Sequence, residues 1–113
     1  MKKVTLDSVP ITGLPLYEMQ QLFQINEPCS EIKISYITLL PGQRVPESGT
    51  GVHEEDEYSY FIEGEVYTES GDYQGVCGKG DATLIPQGEA HWSENLTDKP
   101  CRIVCVLVKT QKK

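Results

Sequence analysis

Polar and apolar residues alternate along much of this chain with the two-residue period of half-buried strands. The clearest run is Glu31 to Leu40, where Ile32, Ile34, Tyr36 and Thr38 alternate with Lys33, Ser35, Ile37 and Leu39 before Pro41-Gly42 turns the chain. This strand is expected to bury mainly one face at its start. Cys101 to Val108 is apolar on both faces apart from Arg102, the pattern of a strand deep in a sandwich or barrel. Tyr58 to Ile62 and Val66 to Thr68 flank Glu63-Gly64-Glu65, which predicts a β-hairpin with Gly64 where positive φ is needed. Tyr73 to Cys77 predicts a further short strand, and Ala82 to Ile85 another, stopped by Pro86.

The N-terminal part is less regular. Lys3 to Val9 alternates weakly and predicts an edge strand, after which Pro10, Gly13 and Pro15 mark a loop. Leu16, Met19, Leu22 and Phe23 have helical spacing, whereas Met19, Gln21, Phe23 and Ile25 fit a strand less well. A helical turn and an edge strand are both open there, and the surroundings favour the strand. Gln111-Lys112-Lys113 is expected to be disordered. Short strands, Gly and Pro at most joints, no internal repeat and no convincing long helix together predict an all-β sandwich or barrel.

Composition narrows the class. With 113 residues the chain is expected to form one domain, 1–113, large enough to bury a core without staples. A net charge of −7 argues against nucleic acid and anionic membranes as partners, since both demand a basic face. Met1-Lys2-Lys3 is not followed by an apolar signal region, and no run approaches a membrane span, so a cytoplasmic location is expected. Cys29, Cys77, Cys101 and Cys105 contain no C-x2-C pair of a structural zinc site. Cys101 and Cys105 lie four apart in a strand, roughly 13 Å between Cα atoms, too far for a disulfide. All four are expected to be reduced packing residues.

Two stretches carry candidate chemistry. In Gly80 to Asn95, GDATLIPQGEAHWSEN, Gly88 frees the backbone to reverse over Pro86-Gln87-Gly88, so that His91 begins a new strand behind a constrained turn. Such a turn holds an imidazole in one place, as a ligand or a general base requires; a plain strand-end histidine is the competing reading. Upstream, Gly51-Val52-His53-Glu54-Glu55-Asp56-Glu57 lies in the segment from Val45 to Gly78, which holds nine of the 17 acids and no Lys or Arg. That excess favours a divalent cation near His53, although a solvated acidic bend would look the same. In one extended strand His53 and Glu57 would stand roughly 13 Å apart. If both serve one site, the chain must bend at Glu54-Glu55-Asp56. Tyr36, Tyr58, Tyr60 and Trp92 are read as core or interface packing rather than pocket lining, and Asn95 as a turn former.

Gly80, Pro86, Gly88, His91 and Asn95 fill G-x5-P-x-G-x2-H-x3-N, the second motif of the cupin family, at all five positions. His53, Glu57 and Gly64 match the later part of the first motif, G-x5-H-x-H-x3,4-E-x6-G, and fifteen residues separate Gly64 from Gly80. The chain therefore resembles a small cupin from about Ile34 to Leu107. It departs at Gly51, where the family's first motif histidine is expected. The resemblance implies an antiparallel double-stranded β-helix, or jelly roll, with a barrel core over about 32–108 and a cavity between its sheets. It implies a homodimer, often with exchange of N-terminal strands. It also implies one divalent transition metal (Fe, Mn, Ni, Zn or Cu) held by His53, Glu57 and His91, with Glu47 or Glu55 as candidate fourth donors. The activity implied is that of a metal-dependent enzyme of dioxygenase, isomerase or lyase type, acting on a small, oxygen-rich organic molecule. The alternatives are a metal-free small-molecule binding or sensory module, and a scaffold whose histidines merely pack.

Overall fold

The computed structural model describes residues 1–14, 16–27 and 30–110. Pro15, Cys29 and the Gln111-Lys112-Lys113 tail, for which expectations were stated, lie outside the described residues. Among the described residues, one turn of 3-10 helix at Leu6–Ser8 precedes ten strands. They are β1 (Thr12–Gly13), β2 (Glu18–Glu27), β3 (Ser30–Leu39), β4 (Arg44–Val45), β5 (Asp56–Glu63), β6 (Glu65–Ser70), β7 (Tyr73–Gly78), β8 (Ala82–Ile85), β9 (His91–Glu94) and β10 (Cys101–Thr110). Six form one sheet in the order β1-β2-β3-β10-β5-β8, and four form the other in the order β4-β9-β6-β7. Every pairing is antiparallel, which makes a jelly-roll barrel. No helix among the described residues is long and apolar enough to cross a membrane.

Strand periodicity sets the two faces of the larger sheet. Across β3, β10 and β5, the rows Leu39–Cys101, Ile37–Ile103–Phe61 and Ser35–Cys105–Ser59 point inward. Leu39, Phe61, Val66, Cys77 and Cys101 form the buried core, with Tyr17, Val45 and Ile103 packed against it. Full burial of a side chain such as Phe61 or Val66 stabilises the fold by about 1.5–3 kcal/mol. The alternate rows, Ile34–Val106–Tyr58–Leu84 and Tyr36–Val104–Tyr60–Ala82, cover the outer face. The apolar start of β3, Ile32 to Tyr36, thus belongs partly to an outward surface: Tyr58, Tyr60 and Leu84 are about half exposed.

Two expectations are corrected. Lys3 to Val9 is not an edge strand. Local bonds from Ser8 N and Oγ to the Thr5 carbonyl close a helical turn, and the Gln20 amide on β2 donates to the carbonyls of Leu6 and Val9. The carbonyls of Thr5, Leu6 and Val9 thus find partners without a neighbouring strand. The segment around Gly64 is not a hairpin either. Gly64 has φ +75°, but β5 pairs with β10 and β8 whereas β6 pairs with β7 and β9. The turn is a corner at which the chain passes from one sheet to the other. By contrast, Leu16 to Ile25 contains most of β2, a strand.

The corner at Gly64 is crowded as well as left-handed. A Cβ there would run into the Pro100 carbonyl oxygen and stand 2.8 Å from the Cys101 Cα. Asn95, with no exposed surface, fastens the neighbouring loop: its amide donates to the carbonyls of Leu39 (2.9 Å) and Lys99 (2.8 Å), and its oxygen accepts from Thr97 N and Oγ1. Asn95 therefore shapes a turn, as its position in the sequence suggests. Cys77, Cys101 and Cys105 are free thiols. Burial pushes Cys101 up to about 11 and Cys105 up to about 12, so both pack as neutral groups.

Gly64→Ala is expected to cost about 3 kcal/mol or more, since backbone strain and a backbone collision add together. Gly80 is also left-handed (φ +89°) but has open space around it, so Gly80→Ala should cost only about 1 kcal/mol. Urea denaturation of the two variants measures the difference, and equal losses would mean that crowding at the corner is unimportant.

Candidate metal centre

The bend and the turn that carry the candidate residues are sewn together by backbone bonds. Gly51 and His91 exchange both of theirs, Gly51 N to His91 O at 2.8 Å and His91 N to Gly51 O at 3.0 Å. Gly88 N donates to the His53 carbonyl at 3.0 Å, and Gln87 N to the Asp56 carboxylate at 2.9 Å. The chain bends at Glu54-Glu55, and β5 begins at Asp56. The bend required for His53 and Glu57 to meet is present.

The acids of this stretch are sorted by their partners. Glu54 pairs with Lys109 on β10 at 2.9 Å, which holds its carboxyl below the usual range. Glu55 lies 3.8 Å from Lys33 on β3, and Asp56 accepts from the Pro86-Gly88 turn. Glu57 alone of the four turns toward an imidazole, 3.5 Å from His53 Nε2. Alternation along β9 then places His91 and Ser93 on the inner side, opposite Ser70 and Thr68 of β6. The rings of His53 and His91 meet edge to face with centroids 4.6 Å apart.

One donor atom from each of His53, Glu57 and His91 lies within 4.8 Å of the other two, and all three residues are half-buried. Donors bound to one ion at about 2.1 Å stand about 3–3.4 Å apart at octahedral or tetrahedral angles, so the 3.5 Å pair already has a suitable spacing. The Glu89 carbonyl lies 2.9 Å from His91 Nδ1. A carbonyl only accepts, so it selects the tautomer with hydrogen on Nδ1 and leaves Nε2 free to donate electrons. Chemically, this set of two imidazoles and one carboxylate fits a divalent transition ion.

Neither candidate for a fourth donor joins the group. Glu55 is drawn to Lys33, and Glu47 lines a separate surface depression with Arg44 and Glu94. Gly51 and His91 form a directly opposed pair, so a side chain at position 51 would emerge on the same face as His91. Between the sheets lies a cavity of about 560 Å3, bounded by Glu57, Ser59, Phe61, Thr68 and Ser93 among others. Glu57 belongs to both the cavity wall and the imidazole group. The four aromatic residues singled out in the sequence do not line this cavity: Tyr36, Tyr58 and Tyr60 are on the outer face, and Trp92 packs between Tyr67 and the Arg44 guanidinium.

Missed in the sequence was Glu89, which orients His91 through its carbonyl and lines the cavity with its side chain. Its place between Gly88 and His91 was the available signal. Also missed were Lys33 and Lys109, far along the chain, which draw Glu55 and Glu54 aside.

Solved structures share this architecture. An RmlC-like cupin from Shewanella frigidimarina NCIMB 400 superposes with a TM-score of 0.78 at 16% identity, covering 96% of this chain and 91% of that one. A predicted oxalate decarboxylase from Thermotoga maritima gives 0.79 at 18% identity, with 96% and 99% covered. The polyketide cyclase RemF from Streptomyces resistomycificus gives 0.76 at 20% identity, with 100% and 87% covered. No curated protein sequence matches the chain. The cupin domain family profile matches residues 35–107, well over half of the sequence. Motifs, fold and profile agree, and the chain belongs to the cupin family.

Proposed function

We propose that the protein binds one divalent transition metal at His53, Glu57 and His91 and uses it to bind, and to transform, a small organic molecule in the adjoining cavity. The observation that carries this is the meeting of three donors from two separate motifs, with His91 held by Glu89 in the tautomer a ligand needs. When bound, such an ion polarises a carbonyl or enolate oxygen, or offers open positions to dioxygen. The protein's own part is to hold two neutral imidazoles, to lower the charge of the site through Glu57, and to shelter the substrate between the sheets. Similar folds named as an oxalate decarboxylase and a polyketide cyclase support a catalytic reading without choosing the reaction. The thiols of Cys77, Cys101 and Cys105 suit a reducing, cytoplasmic setting.

A metal-free binding or sensory module remains the second reading. It is favoured by Gly51, which lacks the side chain of the usual fourth ligand. Protein purified without chelators is expected to carry close to one equivalent of metal by elemental analysis, and His91→Ala to lose it. Metal affinity should fall on acidification, because protons compete with the ion for the ligand atoms. Wild-type protein that binds none of the five candidate metals would favour the second reading.

Gly51→His tests the departure directly. A Cβ at position 51 meets nothing closer than 3.7 Å, so the variant should fold with little loss of stability. A third imidazole, as a fourth donor beside His91, is expected to tighten metal binding at least about tenfold. Unchanged affinity in a folded variant would show that position 51 does not face the ion.

The homodimer implied by the family has a fitting surface in the outer face of the six-stranded sheet. Tyr58, Tyr60 and Leu84 are exposed there beside Val104 and Val106. Wild-type protein should sediment as a dimer and Tyr60→Glu as a monomer. A monomeric wild type would remove this part of the proposal.

A further inference from the structure

The cavity wall carries negative charge and no positive charge to balance it. Three carboxylates line it, those of Glu57, Asp81 and Glu89, and no Lys or Arg does among the described residues. Nearby cations are engaged elsewhere: Lys33 with Glu31 and Glu55, Lys109 with Glu54, and Arg44 with Glu94 and the carbonyls of Pro46 and Gly49.

Hydroxyls line it as well, those of Ser59, Thr68, Ser70, Tyr73, Thr83 and Ser93, but none brings a positive charge. Ser70 donates its hydrogen to Glu89 Oε2 at 2.7 Å, and Thr68 and Ser93 share one of theirs across 2.9 Å. The remaining surface includes Leu39, Phe61, Val66, Ile85 and Ile103, which offer an apolar bed. Glu89 is held by its Ser70 bond, and Gly71, with no side chain, leaves room for its carboxylate. A Cβ on Gly71 would approach Glu89 Oε1 to 2.5 Å.

We infer that this cavity takes neutral or cationic molecules with an apolar body and hydroxyl or amine donors, that it disfavours carboxylates, and that Glu89 sets the preference. A carboxylate can only accept, so in this cavity it would give up its water and gain repulsion in place of a partner. A hydroxyl or ammonium group finds acceptors waiting on Glu89 and Ser70. The inference deepens the proposed function, but its charge argument does not require the ion. A bound ion with open coordination positions would itself take up a carboxylate, so the preference is that of the metal-free cavity.

The test uses three probes with one ring and one ortho hydroxyl: salicylamide (neutral), salicylate (anionic) and 2-(aminomethyl)phenol (cationic). Each is titrated at low ionic strength into full-length metal-free protein, and binding is followed by amide NMR shifts of cavity residues. Salicylamide and 2-(aminomethyl)phenol are expected to bind at least about tenfold more tightly than salicylate. Glu89→Gln keeps an acceptor for Ser70 while removing the charge, and should shrink the gap several-fold by improving salicylate. Added salt should narrow the wild-type gap too, which checks the electrostatic cause without any variant. Salicylate binding as well as the others overturns the inference, as does a gap unchanged by both Glu89→Gln and salt, or no binding by any probe. Failure to load metal would defeat the proposed function, while the metal-free titrations would still decide this one.

Discussion

The candidate centre depends on one local constraint: the bend after Gly51 and the turn after Pro86 are hydrogen-bonded to each other along their backbones. Gly51 and His91 exchange two bonds, and Gly88 and Gln87 reach the His53 carbonyl and the Asp56 carboxylate. These bonds do not involve the imidazoles or Glu57. The side chains that would hold an ion are therefore placed by groups that need no ion. Such preorganisation reduces the ordering cost of binding, because the donors need shift only slightly to close on a metal.

Around that constraint the barrel divides its labour. The larger sheet supplies Glu57 and most of the core, and the smaller sheet supplies His91, Ser93 and the hydroxyls of β6. The cavity lies where the two meet, walled by apolar residues toward the core and by Glu57 and Glu89 toward the imidazoles. Its mixed lining suits a molecule with one greasy and one polar end.

Much of this was legible because strand periodicity and turn chemistry are local. β3, β8 and β10 fall close to their expected limits, since alternation and the Pro and Gly breaks mark them directly. The gathering of His53, Glu57 and His91 was legible through motif spacing and the need for a bend. The partition at Gly64 was not: a tight glycine turn between two apolar runs reads identically whether the runs pair with each other or part company. Only the distant crowding by Pro100 and Cys101 distinguishes the two. In the same way, the acidic stretch showed a local excess of charge but could not show that Lys33 and Lys109 would draw Glu55 and Glu54 away and leave Glu57 beside His53.

The place of β10 bears on how the chain reaches this state. It is the last described strand in sequence, yet it lies in the middle of the larger sheet, pairing with β3 on one side and β5 on the other. During synthesis, β3 and β5 cannot complete their pairing until residues 101–110 have been made. Barrel closure joins partners some seventy residues apart, the kind of topology that folds slowly. Until then the nascent chain presents open strand edges, where chaperones, or a second nascent chain, can take hold.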